Sequence, residues 1–338
     1  MKKKICIGII IFFILFLVYI TRPTWTPRIK GSNSISEYKK VKINGTKLQV
    51  LIRGEDKDNP VILYVHGGPA SPDLYYIREY QDLLEKDFVV VDYAERGSGK
   101  SYNFFEDYSN NDIDINVDDL VELTKYIKDY LNKDKIIIVG HSWGSYIGMK
   151  AIEKNPDDYI GFVGVGQVVD SIKSEQITYD KMIKLLEEDN GEDSISYLES
   201  LKEDIDKGMY VPRNILNRYG YLRHKSYDTP SLFGAWVSSE YNFIDSVRQA
   251  LGNKYCDILW DEVIERPLDK EVNKVQVPVY MVMGKYDGST SPELAKEYFD
   301  NLEAPIKEYY LFEDSAHFPH IEEEDKFYDL MIELFKNT

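Results

Sequence analysis

Lys135-Ile-Ile-Ile-Val-Gly-His-Ser-Trp-Gly-Ser145 is the stretch of this chain that decides its fold. Its first half, Ile136–Val139, is a run of β-branched apolar residues that is typical of a buried parallel strand. The strand leads into Gly140-His-Ser-Trp-Gly144, which has the G-x-S-x-G pattern of a tight strand-to-helix turn. Such a turn holds its central serine in a strained conformation, so the residues two before and two after must be small. The pattern therefore predicts that Ser142 is a nucleophile.

Strands and helices alternate on both sides of this turn. Apolar runs predict buried strands at Val61–Val65, Phe88–Asp92, Tyr159–Val169, Val277–Met283 and Lys307–Phe312. Helical patterns predict helices at Leu74–Glu85, Val117–Leu131 (capped by Asn116 or Asp118), Tyr146–Lys154, from Ser291-Pro292 onward, and Lys326–Phe335. A hairpin, Tyr38–Ile43 and Lys47–Arg53 joined by Asn44-Gly45, comes before them. This order predicts an α/β fold with a mostly parallel, twisted sheet flanked by helices.

The alternation stops over residues 171–267, where the apolar residues have helical spacing. We interpret this segment as a helical cap that is inserted between two parts of an α/β core, residues 37–170 and 268–338. Residues 22–36, which contain two prolines, are predicted to be a linker.

The N-terminal segment, residues 1–21, has a different character from the rest of the chain. Three lysines precede the apolar run Ile5–Ile20. A cleaved signal peptide would need small residues after such a run, and Val18–Pro23 has none, which favours an uncleaved signal anchor. Because the lysines lie at the short end, the positive-inside rule predicts that the remainder of the chain is extracytoplasmic and anchored to the membrane.

The composition excludes several classes of protein. A net charge of −17 argues against a nucleic-acid partner, because phosphate groups need lysine and arginine opposite them. Two cysteines, Cys6 and Cys256, cannot form a disulfide framework. No metal site is predicted, since His317 and His320 have no third ligand at metal-site spacing. We expect no cofactor, and the sequence does not specify an oligomeric state.

A serine nucleophile needs a base that accepts its proton. The chain has five histidines, and His317 and His320 both follow the last predicted strand. Loops at the carboxyl ends of parallel strands meet at one edge of the sheet, where Ser142 also lies. We favour His317 as the base, because His320 follows a proline and begins the exit toward the last helix. His320 is the alternative.

The base in turn needs an acid that orients it, and the oxyanion needs hydrogen-bond donors. Asp287 follows the strand Val277–Met283 and is the favoured acid, with Asp314 as its rival. The expected donors are two backbone amides. One is the amide of Trp143, directly after the predicted nucleophile, and the other is that of Gly68, in the loop His66-Gly-Gly-Pro69.

Three motifs resemble those of a known family, the α/β-hydrolases, and within it the prolyl iminopeptidase branch. His66-Gly-Gly-Pro-Ala70 is similar to the HGGPG of that branch, and Arg96-Gly-Ser-Gly-Lys-Ser101 to its R-G-x-G-x-S. Gly140-His-Ser-Trp-Gly-Ser145 resembles its G-G-S-W-G-S. The resemblance covers roughly residues 38–335. It departs from the family at Ala70, which replaces a glycine, and at Ala94-Glu95, where the family has Asp-Gln or Glu-Gln.

The resemblance implies a serine aminopeptidase that releases N-terminal residues from short peptides. In the family, acidic residues of the cap hold the free α-amino group of the substrate. Glu240 is the positional candidate here, and Trp236, one helical turn earlier, is expected on the same face above Ser142. The same fold also serves carboxylesterases and lipases that act on small acyl esters, and that is the alternative. A non-catalytic binder of small molecules is the second alternative.

Overall fold

An eight-stranded sheet forms the centre of the computed structural model. The structure describes residues 2–189, 191–225, 235–236 and 238–336, with side chains from residue 5 onward. The strands are β1 (Ile35–Ile43), β2 (Thr46–Gly54), β3 (Val61–Val65), β4 (Val89–Tyr93), β5 (Ile136–His141), β6 (Tyr159–Val165), β7 (Val279–Gly284) and β8 (Lys307–Phe312). Their order across the sheet is β1-β2-β4-β3-β5-β6-β7-β8. Strand β2 pairs antiparallel with β1 and β4, and all other pairs are parallel, which confirms the predicted sheet.

The described helices lie before, between and after the strands. They are α1 (Lys2–Ile20), α2 (Leu84–Asp87), α3 (Ile113–Leu131), α4 (Trp143–Lys154), α5 (Ser171–Glu188), α6 (Glu192–Ser200), α7 (Lys202–Ile205), α8 (Arg213–Arg218), α9 (Phe243–Gly252), α10 (Cys256–Glu265), α11 (Leu268–Glu271), α12 (Pro292–Asn301), α13 (Pro319–Glu322) and α14 (Glu324–Phe335). Helix α3 begins after Asp112, whose side chain accepts a hydrogen bond from the amide of Ile115. The predicted caps Asn116 and Asp118 are therefore wrong, because the helix starts one turn earlier.

Both faces of the sheet are covered by apolar side chains. Ile136 and Ile138 of β5 belong to a core cluster that also contains residues of α3, α4 and α12. Ile137 and Val139 belong to the cluster on the opposite face, with Phe327, Leu330 and Met331 of α14. Successive strand residues point to opposite faces, so a continuous apolar strand buries itself on both sides.

Within its described residues, the segment between β6 and β7 contains the helices α5 to α11, joined by turns and irregular loops, and no strand. Several of its helices share an apolar cluster of their own, which includes Met182, Leu198 and Leu216. This agrees with the predicted helical insertion. Its limits at residues 171 and 267, like the other predicted domain limits, remain predictions.

The predicted helix at Leu74–Glu85 is wrong. The segment contains one 3-10 turn, Ile77–Tyr80, and the beginning of the short helix α2. Its side chains are engaged in long-range contacts instead. The side-chain amide of Gln81 donates to the buried carboxylate of Asp92 (2.9 Å), and the guanidinium of Arg78 donates to the carboxylate of Glu240 (3.0 Å). Tertiary contacts of this kind override a local helical pattern.

The predicted membrane anchor at residues 1–21 is wrong. Within the described part of the chain, no helix is both long enough and apolar enough to cross a bilayer. Met1 lies outside the described residues, and α1 begins at Lys2. The sixteen-residue apolar run Ile5–Ile20 extends about 24 Å as a helix, which is less than the hydrocarbon thickness of about 30 Å. The predicted membrane attachment and extracytoplasmic location depended on this segment, so these two predictions are wrong as well.

The turn between β5 and α4 depends on close contact between backbones. A Cβ atom built on Gly144 would lie 2.1 Å from the carbonyl oxygen of Val65 in β3. A Cβ atom built on Gly140 would lie 2.4 Å from the carbonyl oxygen of Gly144. These distances are far below van der Waals contact, so both positions require glycine, as the sequence pattern predicts.

We therefore expect Gly144→Ala to lower the free energy of unfolding by at least about 2 kcal/mol, because rigid backbone must move to admit the methyl group. Urea denaturation followed by circular dichroism measures this. Gly8→Ala is the control, since a Cβ atom there would meet nothing within 4 Å. A Gly144→Ala midpoint equal to that of the unchanged protein would contradict the close packing.

Candidate active site

Ser142 lies at the turn between β5 and α4. Its backbone has φ 52° and ψ −121°, a conformation that costs a residue other than glycine about 1–2 kcal/mol. Two backbone hydrogen bonds hold it there. The amide of Ser142 donates to the carbonyl of Val165 (2.9 Å), and its carbonyl accepts from the amide of Ser145 (2.8 Å). The half-buried Ser142 thus lies at the carboxyl end of the central strand, at the start of a helix.

Asp287 and His317 form a buried pair near this turn. The Nδ1 atom of His317 donates to Oδ2 of Asp287 at 2.8 Å, and the Asp287 side chain is fully buried. The amides of Ser289 and Thr290 each donate to Oδ1 of Asp287 at 2.8 Å, and the Thr290 hydroxyl donates to Oδ2 at 2.7 Å. These donors fix the carboxylate, and the carboxylate fixes the ring of His317 with Nε2 available on its other side.

A glycine allows the loops that carry this pair to meet. Asp287 follows β7 and His317 follows β8, and a Cβ atom built on Gly284 would lie 1.9 Å from the carbonyl oxygen of Ala316. The amide of Tyr286 donates to the carbonyl of Ser315 (3.1 Å) between the same loops. The pairing of Asp287 with His317 is therefore set by backbone contacts as well as by side chains.

His320 has a different environment from His317. Its Nε2 atom is hydrogen-bonded to the hydroxyl of Tyr64 (3.0 Å), and its Nδ1 atom has no partner among the described residues. Burial lowers the pKa of His320 to about 3, so this ring is neutral. The rival acid Asp314 is exposed, whereas the carboxylate that is hydrogen-bonded to His317 is that of Asp287. The carboxylate of Asp287 is thus hydrogen-bonded to His317, whereas the partner of His320 is the phenol hydroxyl of Tyr64.

His141 packs against the ring of His317 and is hydrogen-bonded to its backbone. The two rings lie 4.8 Å apart, and Nε2 of His141 donates to the backbone carbonyl of His317 at 2.9 Å. Burial, and to a smaller degree the neighbouring histidines, holds the pKa of His141 well below its usual range. His141 is therefore a neutral, structural member of the group.

The loop His66–Ala70 lies against Ser142. A Cβ atom built on Gly67 would be 3.3 Å from the Cβ atom of Ser142, and Gly68 follows with φ 134°. Trp143 is the first residue of α4, where a backbone N–H has no acceptor within the helix. Gly68 lines the same cavity as Ser142, and Trp143 directly follows Ser142 in the chain, so their amides remain the predicted oxyanion donors.

Glu95 connects the two sides of this predicted oxyanion site. Its Oε1 atom accepts from the backbone amide of Ala70, and its Oε2 atom accepts from the indole Nε1 of Trp143 at 2.8 Å. Ala70 has φ 56°, in the region that the glycine of the related motif would occupy without strain. The two departures from the family motifs, Ala70 and Glu95, are therefore hydrogen-bonded to each other. No local sequence pattern predicts this link between Glu95, Ala70 and Trp143.

Glu240 and Trp236 lie away from Ser142. The carboxylate of Glu240 is buried against the guanidinium of Arg78 (3.0 Å), and the ring of Trp236 contacts the ring of Tyr19 at 6.0 Å. The guanidinium of Arg22 donates to the carbonyl of Trp236 (3.1 Å). Neither Glu240 nor Trp236 lines the cavity at Ser142, so the structure does not bring them together with the predicted nucleophile.

Ser142 and His317 line one cavity of about 300 Å³. Its wall includes five aromatic residues, Tyr64, Tyr76, Tyr210, Trp260 and Phe318. Over the part of the chain that the structure describes, the charged lining residues are Asp73 and Arg213, and the Arg213 guanidinium is paired with Glu175 at 2.6 Å. Among the described residues, no cluster of three or more metal-binding side chains occurs here or elsewhere.

Ser289 and Thr290, whose amides donate to Asp287, had a detectable signal in the sequence. The order Asp287-Gly-Ser-Thr290 is typical of a turn in which an aspartate accepts from the amides two and three residues later. Asp73, by contrast, is separated from Gly68 by an irregular segment, and only the tertiary structure places it in the cavity.

A serine at a strand–helix turn, beside a buried Asp–His pair at the carboxyl edge of a parallel sheet, defines the α/β-hydrolase class of protein. Comparison with known proteins agrees. Residues 60–194 match the family model for the alpha/beta hydrolase fold. A probable aminopeptidase of Bacillus subtilis, YbaC, is 32% identical over 311 residues, with 88% of this chain and 96% of the relative covered.

Two further comparisons extend this result. A proline iminopeptidase of Saccharolobus solfataricus is 24% identical and covers 83% of this chain, with 86% of the relative matched. The crystal structure of proline iminopeptidase from Mycobacterium smegmatis superposes with a TM-score of 0.64 at 13% identity, over 88% of this chain and 97% of the other. The chain belongs to the α/β-hydrolase family, in its proline iminopeptidase-like branch, and is a hydrolase.

The contacts of Glu95 generate a test. We expect Glu95→Gln to lower the free energy of unfolding by about 1–3 kcal/mol, because an amide can accept from only one of the two buried donors. Glu95→Ala removes both acceptors and should cost more. Urea denaturation gives both values. Glu79→Gln, at an exposed site, is the control, and equal stability of the Glu95 and Glu79 variants would refute the bridging role.

Proposed function

We propose that this hydrolase is a serine aminopeptidase in which Ser142, His317 and Asp287 form the catalytic triad. The observation that carries the proposal is the 2.8 Å contact between His317 and Asp287 at the wall of the cavity that Ser142 lines. The relatives named aminopeptidase and proline iminopeptidase support the same class of reaction.

The proposed reaction begins when His317 Nε2 removes the proton of the Ser142 hydroxyl, whose oxygen attacks the carbonyl carbon of the first residue. Asp287 stabilises the imidazolium that results. The amides of Trp143 and Gly68 bind the oxyanion of the tetrahedral intermediate. His317 then donates its proton to the leaving amine, the peptide departs, and water hydrolyses the acyl-enzyme with His317 again as the base.

The neutral state of His141 and His320 matters to this mechanism. Two additional imidazolium ions beside His317 would disfavour its protonation in the transition state. Burial lowers the pKa values of both neighbouring rings, so His317 can take up the proton without like-charge repulsion.

The triad predicts a specific order among variants. Ser142→Ala and His317→Ala should each lower kcat by at least about 10³-fold, because the two side chains act as one unit. His320→Ala should cost far less, since His320 is bonded to Tyr64 and not to a carboxylate. Covalent labelling by a fluorophosphonate probe, which reacts with active serine hydrolases, should decrease across the variants in the same order. Labelling that persists in Ser142→Ala, or a larger loss in His320→Ala than in His317→Ala, would overturn the assignment.

The class of substrate is tested with matched compounds. We expect turnover of aminoacyl-naphthylamides with a free α-amino group, including the prolyl compound, and much slower turnover of p-nitrophenyl esters of simple acids. Rapid hydrolysis of the esters with no turnover of the naphthylamides would establish the carboxylesterase alternative. Absence of turnover and of fluorophosphonate labelling, in folded protein, would establish the non-catalytic binder.

A further inference from the structure

Asp73 is a buried carboxylate that the proposed triad does not use. It is 8% exposed and lines the cavity together with Ser142, Gly67 and Gly68. Of the described residues that line this cavity, it is the only acidic one. The cavity therefore contains one carboxylate whose role the triad and the oxyanion amides do not explain.

Asp73 lacks the cationic partner that several other buried carboxylates have. Each of the following accepts from a cation: Glu85 from Arg53, Glu175 from Arg213, Glu240 from Arg78, Asp119 from Arg96, and Asp245 from Lys100. Over the described residues, the Asp73 carboxylate has no hydrogen bond or ion pair to another side chain, and it accepts a hydrogen bond from its own backbone amide. An uncompensated carboxylate in a desolvated cavity is costly, and a cationic ligand removes that cost.

The surroundings of Asp73 favour a cation over an anion. Among the described residues of the cavity wall, the one lysine or arginine is Arg213, which is already paired with Glu175. His141 and His320 are neutral because burial lowers their pKa values. Aromatic rings line the same wall, and their faces attract cations. Desolvation raises the pKa of Asp73 to about 6, and His66 partly offsets this rise, so an adjacent cation would stabilise the ionised form of the group.

An N-terminal residue carries its ammonium nitrogen two covalent bonds from the carbonyl carbon that Ser142 would attack. The group that holds this ammonium must therefore lie in the same cavity as Ser142. Asp73 meets this requirement, whereas Glu240 is outside the cavity and is paired with Arg78. On the basis of the proposed aminopeptidase function, we infer that Asp73 binds the α-ammonium group of the substrate and so selects peptides with a free N-terminus. Asp73 belongs to the α/β core and not to the helical cap.

The inference is tested with pairs of aminoacyl-naphthylamides that differ only in N-acetylation. The quantity measured is the ratio of kcat/KM for the free amine to kcat/KM for its acetylated form. We expect Asp73→Asn to lower this ratio by about 10- to 100-fold, mainly through KM, because the amide offers no charge-assisted bond to the ammonium. Asp73→Glu, which keeps the charge, should recover part of the ratio.

Matched controls separate a local contact from a general effect of charge. Glu79→Gln removes one negative charge from the same segment at an exposed position, and Glu240→Gln removes the carboxylate of the cap candidate. Both should keep the ratio of the unchanged protein. If Asp73→Asn proves unstable in urea, Asp73→Ser removes the charge with a smaller side chain and gives the same test. Fluorophosphonate labelling verifies that each variant has an assembled site.

The outcomes distinguish this inference from the proposed function. If the unchanged protein prefers free amines and Asp73→Asn keeps that preference, the role of Asp73 is refuted and the aminopeptidase proposal stands. If Glu240→Gln, and not Asp73→Asn, loses the preference for free amines, the residue that binds the ammonium group would be Glu240 of the cap. If the unchanged protein hydrolyses acetylated and free substrates equally, the aminopeptidase proposal itself fails.

Discussion

The close approach of α4 to the carboxyl ends of β3 and β5 is the constraint on which the site depends. Gly144 touches the carbonyl of Val65, and Gly140 touches Gly144, so the chain must turn within a few residues. Ser142 is thereby held at φ 52°, and the surrounding core stabilises a conformation that an isolated peptide would leave. Because β5 is buried on both faces, it cannot move to relieve the strain.

The same principle of backbone contact extends to the other loops at this edge of the sheet. Gly284 lets the loop that carries Asp287 touch the loop that carries His317, and Glu95 joins the loop of Ala70 to Trp143. The site is thus assembled from loops that follow different strands and contact one another directly. Preorganisation of this kind aligns reacting groups and donors before a substrate arrives.

The sequence permitted accurate prediction of several elements whose signal was local. The strand Val61–Val65 and the helix start at Ser291-Pro292 occur as predicted, since a β-branched run and a serine cap followed by proline act over a few residues. The pairing of Asp287 with His317 could be predicted from the sequence, because the carboxyl ends of parallel strands meet at one edge of the sheet. Leu74–Glu85 could not be predicted, because its conformation follows from partners such as Asp92 and Glu240.

By itself, the sequence determined the α/β architecture, the turn at Ser142 and the short set of residues that could act with it. These features follow from apolar periodicity and from the small residues that a tight turn demands. Only the tertiary structure decided which carboxylate enters the cavity. Glu240 is turned toward Arg78, 162 positions away in the chain, while Asp73 is left facing the cavity of Ser142 without a cation. Charge pairing between distant segments depends on how the whole chain packs, and no local pattern encodes it.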